Sequence, residues 1–206
     1  MQYRGLPVPV RPERLGVVIG RGGETKRAIE KAFNVKMLVD SNTSTVYLTP
    51  AEGGTPLGVM RAKQVVEAIS LGFNPQDAML LSDERYFFEV VDLGEVAKSR
   101  NDLRRIKARI IGEGGRAKRT IEQMSGTKIV VGDKVVGIIG EYENVEAARK
   151  AIEMLARGRT HATVYGFLRS VGRELKRKRL EPVSYTHLRA HETRHELVCR
   201  LLLEKK

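Results

Sequence analysis

Two stretches of this sequence have the residue types needed to hold a phosphodiester: "VIGRGGETKRAIE" at 18–30 and "IIGEGGRAKRTIE" at 110–122. Each sets three glycines within four positions: Gly20, Gly22 and Gly23 around Arg21, then Gly112, Gly114 and Gly115 around Glu113. Glycine reaches positive φ and lacks a Cβ, so an anion can approach its main chain closely. A helix that begins there offers unpaired N–H groups and the positive end of its dipole. Lys26 and Arg27 follow the first turn, and Arg116, Lys118 and Arg119 the second, with Arg109 just upstream. Ile19 with Met37 and Val39, and Ile111 with Ile129 and Val131, are expected to floor a trough for bases.

Placed in register, Ile19 on Ile111, the stretches lie 92 residues apart and agree at eight of twelve positions: Ile, three Gly, Lys, Arg, Ile and Glu. A plain helix–helix junction also uses glycine. The same turn written twice, with the same Lys-Arg pair and the same order of elements, favours a binding role. Dinucleotide binding is a weaker fit. Residues 112–117 match G-x-G-x-x-A, with Asp133 about twenty residues on. Against it stand a basic helical segment before the turn, a hairpin after it, and Thr25 where the first copy needs a small residue. Neither turn matches the P-loop pattern.

The elements that must carry these turns follow from periodicity. In the first copy "PVPVR" is an edge strand and "ERLGVVIG" a short helix. "ETKRAIEKAF" is a helix with Ala28, Ile29 and Phe33 on its apolar face, and "VKMLVD" and "TVYLT" are a hairpin. "PLGVMRAKQVVEAISLG" closes the unit with Val59, Ala62, Val66 and Ile69 inward and Gly72 as its stop. "NPQDAMLLSDE" is a short connecting helix capped at Asn74–Pro75. The second copy repeats the order. "YFFEVVDL" is its strand, and "NDLRRIKARII" a helix capped at Asn101. After the turn come "RAKRTIEQM", a hairpin of "TKIVV" and "VVGIIG" across Gly132–Asp133, and "NVEAARKAIEML". A last helix places Val164, Leu168, Val171 and Leu175 on one stripe and gathers Arg173, Lys176, Arg177, Lys178 and Arg179 at its end. It serves either as a basic arm on phosphates or as a docking helix.

Composition agrees with a polyanionic partner. The chain of 206 residues carries a net charge of +12, and its pI is near 10.0. A solvated basic surface without a partner is the alternative. One cysteine gives no disulfide framework, no run is long enough to span a membrane, and the start lacks a secretory apolar core, so a cytoplasmic protein is expected. No tryptophan and few aromatics disfavour stacking-based readers of RNA. Paired carboxylates, a nucleophile–base set and a native metal cluster are all lacking at plausible spacing, which predicts a non-enzyme without cofactor. The tail from 183 to 206 sets His187, His191, His195 and Cys199 four residues apart, as a helical metal stripe would. However, "VSYTHLRAHET" resembles a translated transposon-end sequencing adapter, and the tail is set aside as an artefact. Removing its five basic and three acidic residues leaves +10.

"VVIGRGGETKRAIE" and "RIIGEGGRAKRTIE" resemble the I-G-x-x-G core of KH domains, and the order of elements is similar to the type I KH fold. Over about residues 3–181 the whole resembles archaeal two-KH proteins related to the eukaryotic partner of the Nob endonuclease. "GEGGR", "DLGEVAKSRNDLRRIKARIIG" and "HATVYGFL" carry that further likeness. The resemblance implies an α+β chain of two tandem type I KH domains, each a three-stranded antiparallel sheet packed on three helices. These would span 3–72 and 85–158, with a connecting helix at 73–84 and a basic C-terminal helix at 159–182. It implies that Gly20–Gly23 and Gly112–Gly115 each clamp about four single-stranded nucleotides. It further implies late assembly of the small ribosomal subunit near the 3′ end of its rRNA, with an endonuclease and an initiation-factor subunit as partners. Glu113 departs from the pattern: either Arg116 and Lys118 balance it, or the second loop serves protein contact. A scaffold whose main partners are proteins is the competing reading.

Overall fold

The computed structural model describes residues 5–97 and 99–180. The histidine–cysteine stripe and the adapter-like tail lie outside them. The described residues up to Ser170 form one compact unit, and those at 171–180 belong to another.

The first unit holds both copies. β1 (Leu6–Pro9), α1 (Pro12–Ile19), α2 (Glu24–Phe33), β2 (Val35–Asp40), β3 (Thr45–Pro50) and α3 (Pro56–Leu71) make the first half. After α4 (Pro75–Ala78) and a single 3₁₀ turn at Met79–Ser82, the order recurs. It runs β4 (Tyr86–Asp92), α5 (Arg100–Ile111), α6 (Arg116–Ser125), β5 (Lys128–Val131), β6 (Val135–Glu141) and α7 (Tyr142–Ala156). Helix α8 spans His161–Leu180. Both sheets are antiparallel and three-stranded, ordered β1-β3-β2 and β4-β6-β5. Pro7 and Pro9 fall on the edge strand β1, where a missing N–H breaks no ladder.

Local chemistry sets the helix ends. The Thr55 hydroxyl accepts from Gly58 N–H at 3.1 Å with Pro56 following it, and α3 stops at Gly72 (φ 132°). Helix α5 is capped by Ser99, which accepts from Asp102 N–H at 3.2 Å; the expected cap at Asn101 is already inside the helix. Ala28, expected inside, is exposed on α2.

The halves differ in how their sheets are covered. In β3, Val46 and Leu48 are buried while Thr45, Tyr47 and Thr49 stay half-exposed, so only one face is packed. In β6, Val136 to Gly140 are all buried. Val136 and Ile138 face their own helices. Gly137 and Ile139 face the first half, where Ile139 joins the core cluster formed by α1, α3 and β3, with Phe88 and Val130 packed against it. Phe73 meets Phe88 edge-on, ring centroids 6.1 Å apart. Lys128 pairs with Asp77 at 3.3 Å and Arg11 with Asp133 at 3.3 Å around this seam. The connecting segment thus contributes to the core: Phe73, Ala78 and Leu81 are buried in it.

At Gly137 a Cβ would lie 2.7 Å from the ring of buried Phe73 and 2.5 Å from Leu71 Cδ2. Gly137→Val is therefore expected to destabilise the protein by about 1–3 kcal/mol, the usual cost of overpacking. Denaturant unfolding monitored by circular dichroism measures this directly.

Candidate nucleic-acid interface

The two glycine turns are near copies in three dimensions. Gly20, Gly22 and Gly23 have φ of 76°, 56° and 80°; Gly112, Gly114 and Gly115 have 70°, 57° and 75°. All lie in the left-handed region that side chains with a Cβ disfavour. A Cβ on Gly20 would stand 2.7 Å from Thr25 N, and one on Gly112 2.8 Å from Ala117 N. The end of one helix is thereby pressed onto the start of the next. Beside Gly22 and Gly114 nothing lies within 4 Å of a notional Cβ, so a ligand has unobstructed access to the main chain. Helices α2 and α6 begin after Gly23 and Gly115 with no side-chain cap, and the first turn of α6, unlike that of α2 with Glu24, carries no acidic residue to offset the positive dipole end.

The repeated polar residues hold this shape. Arg27 Nη2 donates to Gly22 O at 2.8 Å, and Arg119 Nη2 donates to Gly114 O in the same way. A carbonyl that would repel phosphate is occupied from the helix side. Glu30 Oε1 accepts from Met37 N–H, and Glu122 Oε1 from Ile129 N–H, both at 2.8 Å. Lys26 and Lys118 pair with those glutamates at 3.9 and 3.8 Å. These scaffold roles were missed by reading Lys and Arg only as phosphate cations; the i,i+4 Lys–Glu spacing in both copies was the available signal.

The loop charges are exchanged between the copies. Arg21 and Glu24 flank the first loop, and Glu113 and Arg116 take the corresponding positions in the second, all four exposed. Glu113 therefore gives the second loop no greater negative charge than the first. Farther along, Asp40 ends β2 with its carboxyl held below its ordinary range by the Thr43 hydroxyl and then by Asn42 N–H.

The expected trough is only partly built as read. Ile19, Val39 and Val131 are half-exposed and Ile111 is exposed, so these can touch a ligand. Met37 and Ile129 cannot: they are 3% and 1% exposed, because their strand faces turn beneath the helices into the core. They support the trough from below. Arg109 is also corrected. Its Nη2 donates to Arg159 O at 2.5 Å, while its own carbonyl meets His161 Nε2 at 2.9 Å. Gly112 breaks helix α5 and leaves that carbonyl without its helical partner. Arg109 thus clasps the start of α8 instead of facing phosphate.

Comparison with known proteins bears on the same segments. A family model described as "KH domain" matches residues 6–68, and one described as "Eukaryotic type KH-domain (KH-domain type I)" matches residues 87–173. A KH domain-containing protein of Methanocaldococcus jannaschii is 42% identical over 170 residues, 82% of this chain and 74% of that one. The crystal structure of a protein of unknown function from Aeropyrum pernix superposes with a TM-score of 0.80 at 50% identity, covering 87% and 96% of the two chains. A chain in the crystal structure of the a/eIF2alpha–aDim2p–rRNA complex from Pyrococcus horikoshii gives 0.76 at 38% identity, covering 82% and 94%.

Gly112→Ala, which meets both a positive φ and a backbone clash, is expected to cost about 2–3 kcal/mol, whereas Gly114→Ala meets only the φ and costs about 1 kcal/mol. Thermal unfolding of the two variants measures the difference. Arg109→Ala should raise amide hydrogen exchange at the start of α8, read by mass spectrometry, while leaving the two sheets protected.

Proposed function

The chain belongs to the family of two-KH proteins that includes Dim2p, and from that premise we propose that it grips single-stranded RNA at both glycine loops. The backbone contacts are assigned to Gly20–Gly23 and Gly112–Gly115, and the long-range attraction to Arg21, Lys26, Arg27, Arg116, Lys118 and Arg119. Bases rest against Ile19 and Val39, and against Ile111 and Val131. The modules are taken as residues 3–72 and 85–158. The RNA is the 3′ region of small-subunit rRNA during ribosome assembly. This rests on the family likeness and on the rRNA named in the Pyrococcus horikoshii complex.

One observation carries the reading. Two loops 92 residues apart hold the same three left-handed glycines, uncapped helix starts and open main chain. A junction needed only for packing would not leave the main chain beside the second glycine of each set open to a ligand.

That complex also names an initiation-factor subunit, and we take such a subunit as a protein partner, together with an endonuclease implied by the family. The scaffold reading makes those contacts primary and RNA contact weak. We assign the protein binding without catalysis or cofactor, in the cytoplasm. Among the described residues no helix is long and apolar enough to cross a membrane.

Replacing Arg21 and Gly22 with Asp is expected to weaken binding of single-stranded RNA about tenfold or more, the worth of one charge-assisted contact. Fluorescence anisotropy measures it, with melting curves confirming the fold. The native affinity should fall linearly on a log–log plot against salt, by about 0.7 per phosphate neutralised. A flat salt response would favour the scaffold.

A further inference from the structure

Beside the first loop the surface sinks into a hollow of about 830 Å³, bounded by the loop, α2 and the segment after α3. Arg21, Glu24 and Ala28 line one side; Asn74, Gln76 and Met79 line the other. Sites that take small organic groups run to about 300–1,000 Å³, so a base with its sugar has room here. Arg21 belongs to both loop and hollow, which makes the two surfaces continuous.

The lining is suited to a base rather than a phosphate. Ala28 and Met79 present apolar surface of the kind against which a base lies flat. Glu24, at the first residue of α2, repels phosphate but can accept from an exocyclic amino group. Asn74 occupies the residue before α4, where an Asn ordinarily bonds the helix's own N–H groups, and makes no such bond. Asn74 lines the hollow, as does Gln76. Each amide offers a donor and an acceptor, the pair that matches adenine N7 and N6. In the second copy Ala117, the counterpart of Thr25, is 5% exposed, whereas Thr25 is half-exposed. The contrast is confined to that position, for Arg116 and Thr120, the counterparts of Glu24 and Ala28, stay exposed and half-exposed.

We propose that this hollow is a base-binding subsite: it receives one further base, adenine by preference, from the single strand crossing the first loop. The subsite rests on the reading of that loop as an RNA clamp, and it lengthens the footprint of the first module beyond the clamped nucleotides.

The test uses the full chain carrying Gly114→Asp, which silences the second loop, and single-stranded RNAs lengthened stepwise from about four to about eight nucleotides. Anisotropy should show affinity rising roughly tenfold when the flanking nucleotide is added, as stacking of one base does. Ala28→Phe, which fills the hollow from an exposed helix position, should abolish that rise while leaving the affinity for the shortest RNA unchanged. An abasic nucleotide at the same place should abolish it without any change to the protein. A rise that survives both changes, or no rise on lengthening, overturns the subsite. So does an Ala28→Phe chain that loses an initiation-factor subunit but keeps the rise, for the hollow is then a protein dock. Failure of the clamp reading looks different: the Gly114→Asp chain ignores RNA of every length, or Gly22→Asp leaves the shortest RNA bound as before.

Discussion

The interface depends on a contact that leaves no space for a β-carbon. Gly20 is pressed against the amide of Thr25, and Gly112 against that of Ala117. There a helix end and the next helix start are brought together within a single turn, whose own carbonyls take the N–H groups of Gly23 and Glu24 and of Gly115 and Arg116. Such a reversal is entropically costly, since glycine loses the most freedom on folding. The surrounding side chains offset that cost. Arg27 and Arg119 reach back to the loop carbonyls, and Glu30 and Glu122 fasten the helices to the strands that follow. With Ile29 and Ile121 fully buried beneath, most of the repeated residues hold the loop, and fewer face a ligand.

Much of this was legible. Helical and alternating periodicities predict both copies of strand, helix, turn, helix, hairpin, helix, and the glycine stop at Gly72 falls where expected. What was not legible depended on partners distant in sequence. Met37 and Ile129 were expected to face bases, and the strand pattern alone does not show that the helices cover them completely. Arg109 looks like any other cation near a glycine turn; its acceptor, the carbonyl of Arg159, lies 50 residues further on with no local sign. Ser99 and Asn101 are both good helix caps, and only the observed hydroxyl bond separates them.

One signal was present and went unread. "TVYLT" alternates, as a strand with one wet face should, whereas "VVGIIG" runs apolar almost without break. The difference marks β6 as covered on both sides, by its own helices and by Leu71 and Phe73 of the other half. Gly137 within that run marks the close approach. The copies are therefore alike at their loops and unlike at their sheets.

The concealed outer face of the second sheet also limits how such a protein can evolve. Ile139 stays dry, and Phe88 and Val130 partly covered, because the first half lies over them. A chain severed between the modules would bare a greasy plane, and the orphaned fragment would stick to its own kind. Losing or swapping either module would carry the cost of that bared face.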